Sequence, residues 1–234
     1  MKSLGRLSLL MCLFMLMGYG CGEENRLLII VKPLRPYVEQ VLLDLDEIPD
    51  ERKAVLEEIA KDVSEQIKSN KNARLIYICS HNSRRSHMAQ LWAQTAACYY
   101  GIDHVTTFSG GTEATECNIR TVEALRRVGF SVVGDSEEEN PVYQIRFSLH
   151  RPPMKAFSKL YNEGGNPTDN FIALMCCSKA DMECPVVDGA QSRYAIHYVD
   201  PKECDDTDEE ATAYDERCRE IALEMFYLMS QVNN

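Results

Sequence analysis

The residues best suited to chemistry are a cysteine that ends an apolar segment and an arginine six positions later. Cys79 closes the short β-branched run of residues 74–79, and Arg85 stands just before a helical pattern. A strand-to-helix loop of this length can direct its backbone N–H groups at a tetrahedral oxyanion, and the helix adds its positive end. The same surroundings favour a thiolate, the nucleophilic form of cysteine. We therefore predict Cys79 as a nucleophile and Arg85 as the planar fork that grips the oxyanion.

The rest of this loop supplies further polar groups. The Ser86 hydroxyl can donate to the Cys79 sulfur, and Asn82 suits a left-handed backbone position or a side-chain brace inside the loop. A solvent-facing position is the favoured interpretation for His81, although its ring could also contact an oxyanion. The predicted substrate-binding residues are Ser80, His81, Asn82, Ser83, Arg84 and Ser86.

Three residues in the second half of the chain are candidates for the remaining chemistry. Displacing an alkoxide or a hydroxide requires a proton donor opposite the nucleophile, and Asp200 could serve. Taken alone, Asp200 is equally one of seven acids in a solvated loop between residues 200 and 210. Cys177 and Cys184 are seven residues apart, after a predicted strand and before a proline. They are either a redox pair or small apolar core residues.

Composition limits the possible classes of protein. The chain has 234 residues, with 45% apolar and 26% charged residues, which suits one globular domain with additions. A net charge of -11 argues against non-specific nucleic-acid binding. The ten cysteines lack the paired C-x-x-C clusters of zinc sites, and a chain of this length can bury a core without a disulfide framework. Thiol chemistry remains, and neither a metal nor a cofactor is predicted.

The order of the predicted elements indicates an α/β fold. Apolar runs predict strands at residues 74–79, 105–109, 171–176 and 194–198, and helical spacing predicts helices at 87–100, 118–128 and 215–232. Strands that alternate with helices predict a four-stranded parallel sheet flanked by helices.

Two segments stand outside this minimal fold. Residues 26–70 form a predicted N-terminal helical extension, with helical spacing over 37–69 and a linker or edge strand over 26–36 that Pro33 and Pro36 would stop. Residues 131–168 are a predicted insertion in the 74–232 domain, with a hairpin around 142–149 and a short helix near 157–161.

The first residues resemble a secretory signal. Lys2 and Arg6 precede the apolar residues 7–17, a stretch too short to span a bilayer, and small residues follow. Cys21 after a small residue resembles a bacterial lipoprotein processing site, although Gly18 departs from that pattern. Residues 1–20 therefore predict export, to the periplasm or to a membrane through a lipid on Cys21. A cytoplasmic protein with a wrongly assigned start is the alternative.

Several motifs together resemble the low-molecular-weight protein-tyrosine-phosphatase superfamily, which includes the thioredoxin-coupled arsenate reductases. The superfamily loop reads C-x-x-N-x-x-R-S, as Cys79, Asn82, Arg85 and Ser86 do here. Residues 108–112 and 118–125 are similar to its second strand and second helix, and Asp200-Pro201 stands where the family keeps its general acid. The resemblance covers residues 74–232. Arg84 replaces a cysteine or another small residue, which predicts added positive charge at the mouth of the loop.

The segment 176–185 is similar to the redox segment of those arsenate reductases, and this similarity implies roles for the cysteines. Cys79 would attack arsenate while Asp200 protonates the leaving hydroxide. Cys177 would then release arsenite by forming a disulfide with Cys79, and Cys184 would resolve it for a thioredoxin-like reductant. That reductant belongs to a reducing compartment, which conflicts with export.

Two other functions remain open at this point. One is a phosphatase that hydrolyses phosphotyrosine or a small phosphoester through a phosphocysteine on Cys79. The other is an oxyanion-binding or redox-sensing module without turnover.

Overall fold

The computed structural model describes residues 26–70, 72–134 and 138–232. The helices are α1 (Arg35–Leu43), α2 (Asp50–Asn70), α3 (Arg85–Tyr100), α4 (Ile119–Val128), α5 (Ser178–Glu183) and α6 (Glu210–Ser230). The strands are β1 (Ala73–Cys79), β2 (Val105–Gly111), β3 (Ser131–Val133), β4 (Tyr143–Arg146), β5 (Met154–Ala156), β6 (Phe171–Met175) and β7 (Ala190–Ala195). Short 3-10 helices span Lys32–Leu34, Leu45–Glu47 and Pro201–Cys204.

A parallel sheet with the strand order β2-β1-β6-β7 positions the site. The central strands β1 and β6 are almost wholly buried, which explains their continuous apolar sequences. Cys79 is paired with Gly111 and Ile78 with Met175, so the carboxyl ends of three strands meet at one edge. This sheet and its flanking helices confirm the predicted fold class.

The position predicted for the fourth strand is wrong by four residues at its start. The sequence indicated residues 194–198, whereas β7 is Ala190–Ala195. Its first residues are polar and partly exposed, so they lack the apolar pattern that marks a buried strand. Residues 196–198 still hydrogen-bond to the neighbouring segment, with Ile196 N donating to Met175 O (2.9 Å) and Tyr198 N to Cys176 O (3.0 Å).

The N-terminal helices are part of the main core. α2 packs against β1 and α6, and α1 packs against α6. Trp92 of α3 lies at the centre of the aromatic packing, with ring centroids 5.4 Å from Tyr37, 4.9 Å from Phe130 and 6.2 Å from Phe226. Its Nε1 donates to Cys218 Sγ at 3.2 Å. Helix α6 begins at Glu210, five residues before the predicted start of 215. The prediction missed this first turn because its residues are not buried and carry no apolar pattern.

Residues 26–36 differ from the predicted linker or edge strand. Ile30 makes a single antiparallel bridge to Ser148, and α1 then begins at Arg35. Pro36 does not stop this helix, because proline is tolerated in the first turn, where its missing N–H has no helical partner. The predicted signal, residues 1–20 with Cys21, lies outside the described residues. Over the described ranges no helix is long and apolar enough to cross a membrane.

The insertion forms a second, antiparallel sheet with the order β3-β4-β5. The helix predicted near 157–161 is wrong: this segment is extended and pairs with the end of β2. Gly111 N donates to Lys159 O (2.9 Å), and Tyr161 N donates to Gly111 O (3.0 Å). A side chain on Gly110 would meet the Tyr161 backbone at 2.2 Å, so glycine is required for this approach.

Candidate active site

The loop of residues 80–84 joins β1 to α3 and forms a cup of backbone amides. The carbonyls of Cys79, Ser80, His81 and Ser83 accept hydrogen bonds from flanking segments at 2.7–3.2 Å. Among the described residues, the N–H groups of 80–84 donate no hydrogen bond, and no side chain caps the start of α3. The carbonyls are thus satisfied outside the loop, and the amides remain free for an anion.

Cys79 is buried at the base of this cup, where its sulfur lies 3.1 Å from Ser86 Oγ. Asn82 Nδ2 donates to the same oxygen at 2.9 Å, and Asn82 Oδ1 accepts from Lys159 N at 3.1 Å. A backbone N–H can only donate, so it fixes the orientation of the Asn82 amide. Because Ser86 Oγ already accepts from Asn82, its proton is available to the Cys79 sulfur.

Asn82 combines the two roles considered for it from the sequence. Its φ of 45° is left-handed, a conformation that asparagine tolerates better than most residues, and its side chain is fully buried. Asn82 therefore supplies both the left-handed turn of the loop and the side-chain hydrogen bonds that brace it.

Arg85 is the first residue of α3 and stands beside the cup. Its Nη1 donates to Tyr198 O at 3.0 Å and its Nη2 to Asp200 Oδ2 at 2.5 Å. Its Nε is buried without a hydrogen-bond partner in the part of the chain that the structure describes. A buried donor without an acceptor is costly, which suits a group that receives an oxyanion oxygen.

Asp200 lies at the mouth of the cup with its side chain 24% exposed. Besides Arg85, it accepts a hydrogen bond from Lys202 N at 3.2 Å, which caps the 3-10 helix Pro201–Cys204. The structure thus brings Asp200 to the arginine that would bind substrate.

Arg84 lies near Asp200, and the added positive charge expected from it at the mouth of the loop stays a prediction. Its side chain is buried and runs to α6 and the acidic loop, where Nε donates to Tyr214 Oη (2.7 Å) and Nη2 to Asp205 (3.3 Å). A buried guanidinium requires acceptors, and these two supply them. Arg84 therefore positions the segment that carries Asp200, at 4.0 Å from its carboxylate.

The remaining loop residues lie around the rim. The His81 ring is about one-third exposed, and its Nε2 is 3.7 Å from Glu113 Oε2, as the favoured solvent-facing interpretation implies. Ser80 Oγ is 3.5 Å from Cys177 Sγ. Ser83 contributes its carbonyl to Asn118 N at 3.1 Å.

The second-half cysteines stand at the two ends of α5. Cys177 is buried and caps the amino end, with its sulfur 3.5 Å from Ala180 N. Cys184 ends the helix and is partly exposed, and burial followed by the charge of Glu183 raises the pKa of its thiol. Cys176 is fully buried, and desolvation and then the charge of Cys79 raise its pKa. Each cysteine of the described ranges is a free thiol.

The residues that support the Tyr198 carbonyl, which Arg85 contacts, were not predicted from the sequence. Tyr198 Oη donates to Glu224 Oε2 at 2.6 Å, and Glu224 also receives Arg52 Nε at 2.7 Å. The Arg52 guanidinium lies 5.1 Å from the centroid of the Tyr198 ring. An acid on the apolar face of the last helix was the available signal, because a buried carboxylate needs a partner.

His87 illustrates a titratable residue that the site does not use. It is fully buried, and desolvation, with a smaller contribution from the charge of Lys159, lowers its pKa to about 3. Its Nδ1 is 3.2 Å from Ser109 Oγ. The described residues contain no cluster of three side chains suited to a metal ion.

A cysteine and an arginine around an amide cup, at the end of the first strand of a β2-β1-β6-β7 parallel sheet, are the arrangement expected from the resemblance to the low-molecular-weight protein-tyrosine-phosphatase class. No protein-family model matches the chain. An arsenate reductase of Bacillus subtilis is 26% identical over 149 residues, which are 64% of this chain and 88% of the relative. One from Halalkalibacterium halodurans is 27% identical over 150 residues, 64% of this chain and 89% of the relative.

Two solved structures resemble this chain at low sequence identity. A low-molecular-weight phosphotyrosine phosphatase from Vibrio cholerae has a TM-score of 0.48 at 11% identity and covers 68% of this chain and 95% of its own. An arsenate reductase from Archaeoglobus fulgidus has a TM-score of 0.45 at 17% identity, with coverage of 67% and 98%. The curated matches confirm the resemblance stated from the sequence: over about two thirds of its length the chain is similar to arsenate reductases, and its parallel sheet has the predicted fold class.

Proposed function

We propose that this enzyme is a thiol-dependent arsenate reductase that uses Cys79, Cys177 and Cys184. The observation that carries the proposal is the placement of Cys177 beside the loop, with its sulfur 3.5 Å from Ser80 Oγ. A phosphatase needs no thiol there, whereas a reductase must deliver a second sulfur to the nucleophile. The arsenate reductases among the curated relatives support the same choice.

Binding begins with an exchange of partners at Arg85. The arsenate oxygens take the free amides of 80–84 and the unpartnered Arg85 Nε, and they compete with Asp200 for Nη2. A dianion binds a guanidinium fork through two parallel hydrogen bonds. Asp200 is thereby released to face the arsenic–oxygen bond that will break.

The first chemical step forms a sulfur–arsenic bond. The Cys79 thiolate attacks arsenic, and one hydroxyl departs as water after taking a proton from Asp200. Arsenic remains in the +5 state, bound to sulfur and three oxygens. Ser86 positions and stabilises the attacking thiolate.

The second step is the reduction. The Cys177 thiolate attacks Cys79 Sγ, a disulfide forms, and the electron pair of the sulfur–arsenic bond stays on arsenic, which leaves as arsenite in the +3 state. Cys184 then attacks Cys177, frees Cys79 and leaves a Cys177–Cys184 disulfide. A thioredoxin-like dithiol is the proposed reductant, because Cys184 is partly exposed and Cys79 is buried.

This relay requires α5 to unwind. Cys177 and Cys184 flank the six residues of the helix, and seven steps of about 1.5 Å place their Cα atoms roughly 10 Å apart. A disulfide needs Cα atoms at about 4.4–6.8 Å. The helix therefore holds the reduced thiols apart, and oxidation must disrupt it.

Single-turnover assays without external reductant test the proposal. The wild-type enzyme should give one arsenite per chain, Cys177→Ser none, and Cys184→Ser one arsenite with a trapped Cys79–Cys177 disulfide. Cys204→Ser is the control, because Cys204 is a partly exposed thiol on the acidic loop. Arsenite at the wild-type rate from Cys177→Ser would refute the relay.

Phosphoester hydrolysis is the second candidate function, and the Asp200–Arg85 contact favours it equally. Hydrolysis requires the same cup and proton donor but not Cys177. Cys177→Ser should then retain full activity on p-nitrophenyl phosphate, while no variant yields arsenite.

Export is also a proposal, supported by the sequence of residues 1–20. Intact-mass measurement of protein recovered from cells would give a chain that starts at Cys21 with an added lipid. A full-length chain in the cytoplasmic fraction would contradict it.

A further inference from the structure

A second cavity lies away from the cup, between strand β2, helix α3 and the insertion. Its volume is about 420 Å³, and none of the residues 79–86 lines it. Apolar side chains form much of the wall, among them Phe108, Phe147, Met154 and Phe157. The volume falls in the range of sites for small organic ligands, and the apolar wall suits a molecule with a hydrocarbon body.

The wall carries one buried cation, Lys159. This side chain is 8% exposed, and its ammonium lies 4.7 Å from the centroid of the Phe157 ring. No acceptor in the described ranges takes a hydrogen bond from its Nζ. Desolvation lowers the pKa of Lys159 to about 8, the direction expected when no carboxylate compensates the charge.

The neighbouring charges leave Lys159 without an anion. Asp103 is the single carboxylate among the described lining residues, and Arg151 already pairs with it. Cys117 interacts electrostatically with Lys159, but burial raises the pKa of its thiol to about 12, which keeps it neutral at pH 7. His87 is neutral as well. Lys155 adds a second cation to the wall.

We propose that this cavity is a binding site for a small organic carboxylate with an apolar body, and that Lys159 is its counter-ion. The carboxylate would pair with an ammonium that otherwise has only an aromatic face and solvent as partners. The hydrocarbon part would fill the apolar wall.

The site lies next to the catalytic loop. The backbone N–H of Lys159 is the group that orients Asn82, and its carbonyl accepts Gly111 N. An occupant held by the Lys159 side chain therefore contacts the residue whose backbone orients Asn82, and Asn82 in turn donates to Ser86.

Binding can be tested by NMR titration with phenylacetate, in the presence of phosphate to occupy the cup. We expect saturable shifts at the amides of Phe108, Lys159 and Asn166, and much weaker binding of 2-phenylethanol, which has the same ring but no charge. Lys159→Met should weaken phenylacetate binding by about tenfold or more, as for a lost charge-assisted hydrogen bond.

Two further variants complete the design. Lys155→Met removes the exposed cation of the same wall and should change affinity much less. Thr106→Trp fills the cavity from an exposed lining position and should abolish the shifts without disturbing the core. The proposal is overturned if phenylethanol binds as tightly as phenylacetate, if folded Lys159→Met keeps its affinity, or if no saturable shift occurs at the cavity.

Discussion

Asn82 determines how the nucleophile is held. Its side chain connects the backbone of the insertion to Ser86, and Ser86 in turn meets Cys79. Each donor in this series of hydrogen bonds is oriented by the preceding one. The hydroxyl proton of Ser86 therefore has one acceptor left, the Cys79 sulfur. In the proposed mechanism, the Cys79 thiolate thus receives a directed hydrogen bond in addition to the field of α3.

Removing that hydrogen bond should slow chemistry more than binding. For Ser86→Ala we expect kcat for arsenite formation to fall by roughly 10- to 100-fold, since hydrogen bonds to charged groups contribute about 1.5–3 kcal/mol. Inhibition by inorganic phosphate, which reports the cup, should change little. Steady-state kinetics measure both values, and an unchanged kcat would show that Ser86 does not stabilise the thiolate.

At this scale the sequence predicted the residues but not all of their partners. Cys79, Asn82, Arg85 and Ser86 lie within eight positions, so loop geometry alone brings them together. The contact of Arg85 with Asp200 joins residues 115 positions apart, and it depends on how β7 and α6 pack. The partners of Arg84 were not predicted for the same reason, because Tyr214 and Asp205 are distant from it in the chain.

At the scale of the elements, we expect the stability of helix α5 to determine how fast the Cys177–Cys184 disulfide forms. Lys179 is exposed on this helix and pairs with Glu113 and Glu183. Lys179→Gly and Lys179→Ala lose the same ion pairs, but glycine weakens a helix by about 1 kcal/mol relative to alanine. If unwinding limits the rate, Cys177–Cys184 disulfide formation should be up to about fivefold faster in the glycine variant.

Acid quenching followed by mass spectrometry of the thiols measures this rate. Arsenate binding should be the same in the two variants, because Lys179 lies outside the cup. Equal rates of disulfide formation would mean that opening of α5 is not limiting.

Helix α2 should stabilise the segment around Tyr198, which contacts Arg85, through the Arg52–Glu224 pair. Glu224 is only 6% exposed at its side chain, so Arg52→Met leaves a buried carboxylate without its cation. We expect Arg52→Met or Glu224→Gln to cost about 2–4 kcal/mol each, and the double variant to recover more than 1 kcal/mol of the summed loss.

Urea unfolding of the wild type, the two single variants and the double variant measures the coupling free energy between Arg52 and Glu224. The pair Arg127–Asp215 is the control, because its side chains are 38% and 44% exposed, and its coupling should stay below about 1 kcal/mol. A coupling for Arg52–Glu224 no larger than the control would show that α2 does not brace this segment.

Element boundaries show where sequence patterns lose information. β1 and β6 were predicted closely, because strands buried on both faces are apolar throughout. The start of β7 and the extended segment at 157–161 were not, since pairing with neighbouring strands, and not local apolar pattern, determines them.

For the molecule as a whole, the desolvated Lys159 should make stability depend on pH in alkaline solution. The pKa of Lys159 is about 8 in the fold against 10.5 in the unfolded chain, so between these values the unfolded chain binds more protons. Stability should therefore rise with pH over that window, and the cost of the buried charge is fully present below about pH 8.

Lys159→Met removes this cost. Below pH 8 the variant should be more stable than the wild type by up to about 3 kcal/mol, and the difference should shrink toward pH 10.5. Chemical unfolding at pH 7 and at pH 10 measures it. A difference that is independent of pH would show that Lys159 titrates normally.

The pairing of residues 159–161 with the end of β2 also bears on how the protein avoids self-association. β2 is an outer strand, and its free polar groups could pair with another chain. The insertion forms hydrogen bonds with the backbone N–H and carbonyl of Gly111. The side chains of Gln90 and Gln94 form hydrogen bonds with Val105 O, Thr107 N and Thr107 O. Excising residues 131–168 would open half of this edge, so such a shortened enzyme should aggregate by strand-to-strand contact even if its catalytic loop still forms.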